Sequence, residues 1–115
     1  MAFRDQLIIA IGRWNKNPIE DEWLFENFRE QFVNQMSTVE AFEAIEETVD
    51  VLLQQSDAST ATEVLQTIIA LARQSDTSEI PPKILMQRAA IESLFSTFGE
   101  YAKSKLQELF RYYRL

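Results

Sequence analysis

The chain contains no cysteine and no histidine. Without cysteine there is no disulfide framework, no thiolate ligand and no thiol nucleophile, which fits a reducing cytoplasm. Without histidine the chain lacks the commonest general base and the imidazole ligands of zinc, iron and copper. We therefore expect no catalytic residues, no metal-ligating residues and no cofactor.

Glycine and proline are also scarce, with two and three residues in a chain of 115. An all-β fold needs many more turns than these residues supply. Hydrophobic residues make up 46% and thirteen side chains are aromatic, so we expect one folded domain, 1–115. The apolar run from Leu7 to Ile11 is too short to span a bilayer. These features predict a cytoplasmic protein without a membrane partner.

Positive charge is almost missing from residues 17–63. This segment carries twelve acidic side chains and one basic side chain, Arg29, which gives a local net charge of −11 in a chain of −7. A dense patch of one sign repels itself but attracts a partner of the opposite charge. We therefore place the candidate function in this segment.

Apolar residues recur at helical spacing along nearly the whole chain, which predicts an all-α protein. About six antiparallel helices would form a compact bundle or a short HEAT-like α-solenoid. The predicted helix starts are Phe3, Asn17-Pro18, the capping box Ser37/Glu40, the capping box Thr60/Glu63 and Pro81-Pro82, with Gly99 either opening a sixth helix or lying inside a bent fifth one. The side chains predicted to face the core include Phe42, Leu85, Ala89 and Tyr101.

The acidic side chains form two stripes on the predicted second and third helices. The first stripe is Glu22, Glu26 and Glu30, and the second is Glu40, Glu43, Glu47 and Asp50, with Glu46 nearby. Like charges at these spacings cost about 0.2–0.5 kcal/mol per pair, and only Arg29 offsets them locally.

Three interpretations of the stripes remain open at this point: a solvated surface, a docking surface for a basic partner, or a metal site. A solvated helix usually mixes charges of both signs, which this one does not. The metal site is disfavoured because the chain has no Glu-x-x-His pair and no Asp-x-Asp-x-Asp-Gly loop.

Trp23 lies among the carboxylates, off the apolar face of its helix, where an aromatic side chain is typical of an interface anchor. Tryptophan is usually a core residue, so this alternative stays open for Trp23, and Trp14 is predicted to be a core residue. Arg111 and Arg114 are too few to predict nucleic-acid binding. The predicted partner-binding residues are Asp21, Glu22, Trp23, Glu26, Glu30, Glu40, Glu43, Glu46, Glu47 and Asp50.

A resemblance to a known family is found near the start of the chain. It rests on the segments Phe3-Arg4-Asp5-Gln6-Leu7-Ile8 and Ile11-Gly12-Arg13-Trp14-Asn15, followed by an acidic helix after Pro18. The chain resembles the bacterial immunity proteins of polymorphic toxin systems, including those of contact-dependent growth inhibition. The resemblance implies a toxin inhibitor that binds the C-terminal nuclease domain, an RNase, of one cognate toxin and occludes its active site. The alternative is a helical adaptor or oligomerising scaffold without a toxin target. We expect a monomer or a homodimer.

Overall fold

Helices account for most of the described structure. The computed structural model describes residues 2–16 and 22–115, and these ranges contain seven α-helices and no strand. The all-α prediction is therefore confirmed. The helices are α1 Phe3–Lys16, α2 Leu24–Phe28, α3 Thr38–Leu53, α4 Ala58–Ser75, α5 Pro82–Met86, α6 Arg88–Phe95 and α7 Glu100–Tyr112. The predicted start of the second helix at Asn17-Pro18 lies outside the described residues.

A π-helical turn, Arg29–Val33, continues α2 without a break. The Asn34 amide donates to the Arg29 carbonyl at 3.1 Å, which is a bond across five residues rather than four. Such a turn widens the helix by one residue and is often found at functional positions. It changes the direction in which the side chains after Phe28 project.

The central element is α4, which contacts α1, α3, α7 and the π turn. It forms an antiparallel hairpin with α3, while α5 and α6 also pack on α3. The resulting domain measures 37 × 34 × 19 Å. Because one helix with its side chains is about 10–12 Å wide, the thin dimension holds about two helices.

The buried side chains form one continuous cluster to which most of the helices contribute. Ile68 in the middle of α4 is completely buried. It shares the cluster with Ile45 of α3, Phe25 of α2, Phe95 of α6 and Leu109 of α7, which are at most 1% exposed. The core is therefore common to the helices on both sides of α4.

The predicted fifth helix is two helices, α5 and α6, which meet at a turn at Gln87. Its backbone torsions, φ −105° and ψ 11°, depart from the α-helical region. Ile84 and Ile91 remain buried, but Leu85 and Ala89 are exposed. The prediction that these two residues belong to the core is therefore wrong, because it extended one helical period across the turn.

The sequence left open whether a separate sixth helix begins near Gly99, and it predicted that Tyr101 and Phe42 face the core. Gly99 has an extended backbone and immediately precedes α7, so the sixth helix is separate. Tyr101, predicted to be buried, is 64% exposed, and its hydroxyl accepts a hydrogen bond from Gln66 Nε2 at 3.3 Å. Phe42 is only half-buried, at the edge of the apolar face of α3.

The predicted capping box Thr60/Glu63 is also wrong, because α4 begins earlier. Asp57 precedes the helix, and its carboxylate accepts from the Thr60 amide at 2.9 Å. Aspartate is a stronger N-cap than threonine, so the cap moves three residues upstream. The Thr60 hydroxyl bonds to Asn15 Oδ1 at 2.9 Å and thereby ties α4 to α1.

Candidate protein-binding surface

The outer surface of α3 is acidic because most apolar residues of the helix lie on its inner side and the carboxylates lie on the opposite side. Its inner side buries Ala41, Ala44, Ile45, Thr48, Val49, Val51 and Leu52. The opposite side carries Glu43, Glu46, Glu47 and Asp50, which we call the α3 acidic face. At 1.5 Å per residue these four carboxylates extend over about 10 Å of helix.

Three of these carboxylates have no neutralising partner. Glu43 and Glu46 are exposed and Glu47 is half-buried, and none makes an ion pair or a side-chain hydrogen bond within residues 2–16 and 22–115. Glu43 and Glu47 are four residues apart, so they repel each other along the helix. The folded chain tolerates this cost without offsetting it.

Asp50 is the member of the face that is paired. Lys83 Nζ lies 3.1 Å from its Oδ1 and 3.2 Å from its Oδ2. The lysine belongs to α5, which packs on α3. No local sequence pattern indicates this contact, because the two residues are 33 positions apart.

Glu40, the remaining predicted residue of α3, has a structural role. Its Oε1 accepts from the Ser37 amide at 2.9 Å, and its own amide donates to the Ser37 hydroxyl at 3.1 Å. This is the predicted capping box, and it is confirmed. Hydrogen bonds with Ser37 lower the pKa of the Glu40 carboxyl. The bond from the Ser37 backbone amide has the largest effect, and the bond with the Ser37 side chain has the next largest.

The second acidic group lies on different elements. Glu22, Glu26 and Glu30 are all exposed, whereas Asp21 lies outside the described residues. The helix α2 packs on α1, and the π turn packs on α4. Neither packs extensively on α3. The two predicted stripes therefore lie on elements that do not pack extensively on each other. They are connected through α1 and α4, which contact both.

Arg29 does not offset the carboxylates of its own helix. Its guanidinium bonds to the Glu63 carbonyl at 3.3 Å, to Glu63 Oε1 at 3.4 Å and to Thr67 Oγ1 at 3.4 Å, all on α4. The expectation that it compensates Glu26 and Glu30 locally is wrong. Its positive charge is paired with Glu63 of α4 instead. The second acidic group therefore has no counter-ion among the described residues.

The two tryptophans differ in environment. Trp23 lies immediately before α2 and is 57% exposed. Trp14 is half-buried and packs edge-on against Phe25, with 5.2 Å between the ring centroids. Trp14 thus belongs to the core margin as predicted, and Trp23 is accessible to a partner.

A cationic groove is the feature that sequence reasoning missed. It has a volume of about 150 Å³ between α4, α7 and the π turn, and its charged lining is Arg29, Arg73, Lys105 and Glu108. Burial acts to raise the pKa of Glu108, but hydrogen bonds and positive charge from Lys105 and Arg73 outweigh it, and the pKa is lowered. Its lining carries three cations and one carboxylate, so the groove stays net positive although Glu108 pairs with Arg73 and Lys105.

The carboxylates do not converge on a point. Within the described residues no group of three or more Asp and Glu side chains is placed to hold a metal ion. No helix in these ranges is long and apolar enough to cross a bilayer.

In comparisons with known proteins, no family model, curated protein or solved structure matches this chain.

Proposed function

We propose that this protein is a non-catalytic inhibitor that binds a basic toxin domain, a nuclease, in the cytoplasm and occludes its active site. The observation that carries the proposal is the α3 acidic face, with Glu43, Glu46 and Glu47 uncompensated on the solvent side of a helix whose other side is buried. A nuclease binds a polyanion and needs a basic groove, and a row of carboxylates is complementary to such a groove.

The spacing of the charges supports docking over chemistry. The carboxylates lie along the helix, a turn apart, where they can meet several cations of one partner surface. A metal or acid–base site needs groups that converge on one atom. The same uncompensated repulsion that costs stability in the free chain is relieved when a basic partner binds.

The adaptor or scaffold alternative requires an unpartnered apolar stripe on which a second helix could pack. In the described part of the chain the apolar stripes of α3 and α4 are buried within the domain. Large exposed apolar side chains occur on several different elements, among them Ile9, Trp23 and Val39. This distribution favours the inhibitor. Sedimentation of the pure protein separates the two, because the scaffold should self-associate whereas the inhibitor gains mass only with a partner.

The test uses the purified protein and the toxin domain encoded beside its gene. The double variant Glu43→Lys/Glu47→Lys should slow association by about tenfold or more at low salt, because steering depends on the local charge. A matched double variant, Glu79→Lys/Glu100→Lys, makes the same change in net charge at exposed positions that do not belong to α3. Equal rates for the two variants would show that net charge alone matters and that α3 is not in the interface.

A further inference from the structure

Two pockets follow one another along the junction of α4 and α7, and the proposed function uses neither. The first is the cationic groove described above. The second has a volume of about 320 Å³, and its lining includes Ser59, Thr62, Glu63, Gly99, Tyr101 and Ala102. The two helices run in the same direction, since Gln66 bonds to Tyr101 and Arg73 bonds to Glu108. We call the two pockets together the α4–α7 groove.

The cationic end of the α4–α7 groove has an excess of positive charge. Arg29, Arg73 and Lys105 reach it from three different elements, the π turn, α4 and α7. Two carboxylates meet these three cations, Glu108 in the lining and Glu63 through its pair with Arg29. The balance is +1, in a chain whose net charge is −7. The groove therefore attracts an anion although the protein as a whole repels it.

Arg73 and Lys105 also retain unused hydrogen-bond donors. Arg73 bonds to Glu108 through Nη2 alone, and its side chain is 63% exposed. The Lys105 amine makes one hydrogen bond, to Glu108 Oε2 at 3.3 Å. Exposed ion pairs of this kind contribute little to stability, so a phosphate can take the place of Glu108. A guanidinium binds phosphate through two parallel hydrogen bonds, which makes the exchange favourable.

An exposed aromatic ring at the boundary of the two pockets is a second, independent observation. Tyr101 is 64% exposed, although it stands in the first turn of α7. The Lys105 amine lies 5.7 Å from the centroid of its ring, and Gln66, which lines the cationic end, donates to its hydroxyl at 3.3 Å. The ring is thus positioned by side chains of the groove itself. A fixed and exposed ring is a platform on which a planar ring can stack.

We infer that the α4–α7 groove binds a nucleoside monophosphate, with the phosphate on Arg73 and Lys105 and the base against Tyr101. The inference goes beyond the proposed function, which uses carboxylates on another helix. The cations require an anionic group, and the exposed ring requires a planar one. The nearest lining residues of the two pockets are three positions apart on each helix, which is about 4.5 Å. One small molecule whose phosphate and base are joined by a single sugar therefore reaches both.

The experiment is a titration of the full-length, ¹⁵N-labelled protein followed by NMR at low salt. The probes are adenosine 5′-monophosphate, inorganic phosphate, adenosine and a tetraglutamate peptide. The nucleotide should shift the backbone amides of Gln66 and Tyr101, and it should bind about tenfold more tightly than phosphate or adenosine. Each of these two probes lacks one of the two contacts, and the stacking of one base accounts for a factor of this size.

Two pairs of variants test the two contacts separately. Arg73→Gln/Lys105→Gln should weaken nucleotide binding about tenfold or more, whereas Arg4→Gln/Arg13→Gln, which removes the same charge at exposed positions of α1, should change it less than about twofold. Tyr101→Ser should reduce the nucleotide to the affinity of phosphate and leave phosphate itself unchanged. Tyr101→Phe keeps the ring and should keep the affinity. Circular dichroism will verify that each variant is folded.

Three results would overturn the inference. The first is a nucleotide that binds no more tightly than phosphate, or that loses as much affinity with Tyr101→Phe as with Tyr101→Ser, because the ring then makes no contact. The second is a tetraglutamate peptide that binds as tightly as the nucleotide, because the groove then attracts any anion. The third is the absence of shifts at Gln66 and Tyr101 with every probe. None of them bears on the α3 acidic face, so the proposed function is tested independently.

Discussion

Arg29 ties the π turn to α4, and this contact can be measured directly. Its guanidinium donates four hydrogen bonds to Glu63 and Thr67, at 3.3–3.4 Å. The Arg29 and Glu63 side chains are 17% and 21% exposed, so solvent screens the pair only partly. Removing the arginine would leave the Glu63 carboxylate partly buried without its counter-ion, which is the costly half of such a pair.

The size of the effect follows from these distances. Fully exposed pairs contribute about 0.2–1 kcal/mol, and hydrogen bonds to charged groups about 1.5–3 kcal/mol. The contacts here are near the long limit of a hydrogen bond, so the pair belongs between these ranges. We expect Arg29→Gln to lower the free energy of unfolding by about 1–2 kcal/mol, with a coupling energy to Glu63 of about 1 kcal/mol.

The assay is a double-mutant cycle by urea unfolding, followed by tryptophan fluorescence. The test cycle combines Arg29→Gln with Glu63→Gln. The control cycle combines Arg29→Gln with Glu26→Gln, since Glu26 is three residues away on the same helix but has no contact with the arginine in the structure. A coupling to Glu26 as large as the coupling to Glu63 would refute the assignment and restore the local pairing that the sequence indicates.

Three further predictions concern α3 and α4. Ser37→Ala removes an N-cap and should lower the free energy of unfolding by about 1 kcal/mol at neutral pH, measured by urea unfolding. The lowered pKa of Glu40 implies stability that is full above its ordinary 4.5 and is lost as the pH falls through the lowered value, so Glu40→Gln should weaken the acid dependence of the urea midpoint. Ile68→Ala should cost about 2–5 kcal/mol, because this fully buried side chain leaves a cavity, whereas Ile9→Ala, at a side chain that is 49% exposed, should cost less than about 1 kcal/mol by the same assay. Equal costs at the two isoleucines would contradict the placement of α4 at the centre.

Features that depend on neighbouring residues could be predicted from the sequence. The Ser37/Glu40 capping box spans three positions, and its two hydrogen bonds need nothing from the rest of the fold. The separation of carboxylates from apolar residues on α3 follows from the helical period in the same way. The sequence left open whether a separate helix begins after Gly99. The structure shows that it does, because the backbone of that glycine is extended.

Features that depend on tertiary contacts could not be predicted. The spacing of Thr60 and Glu63 is that of a capping box, but Asp57 caps α4 and Arg29 binds Glu63. The turn at Gln87 contains neither glycine nor proline, so nothing in the local sequence marks the break between α5 and α6. The helical spacing of apolar residues therefore could not predict that Leu85 is exposed. The pairing of Asp50 with Lys83 likewise requires α5 to pack on α3 first.

The enclosure of α4 determines how the domain comes apart. Neighbours cover it on most sides, and eleven of its eighteen residues are buried. Its backbone amides can therefore meet solvent only when several helices separate together, so their hydrogen exchange reports global opening. The five-residue α5 is little longer than one helical turn. We therefore expect its amides to exchange through local opening while α4 stays closed.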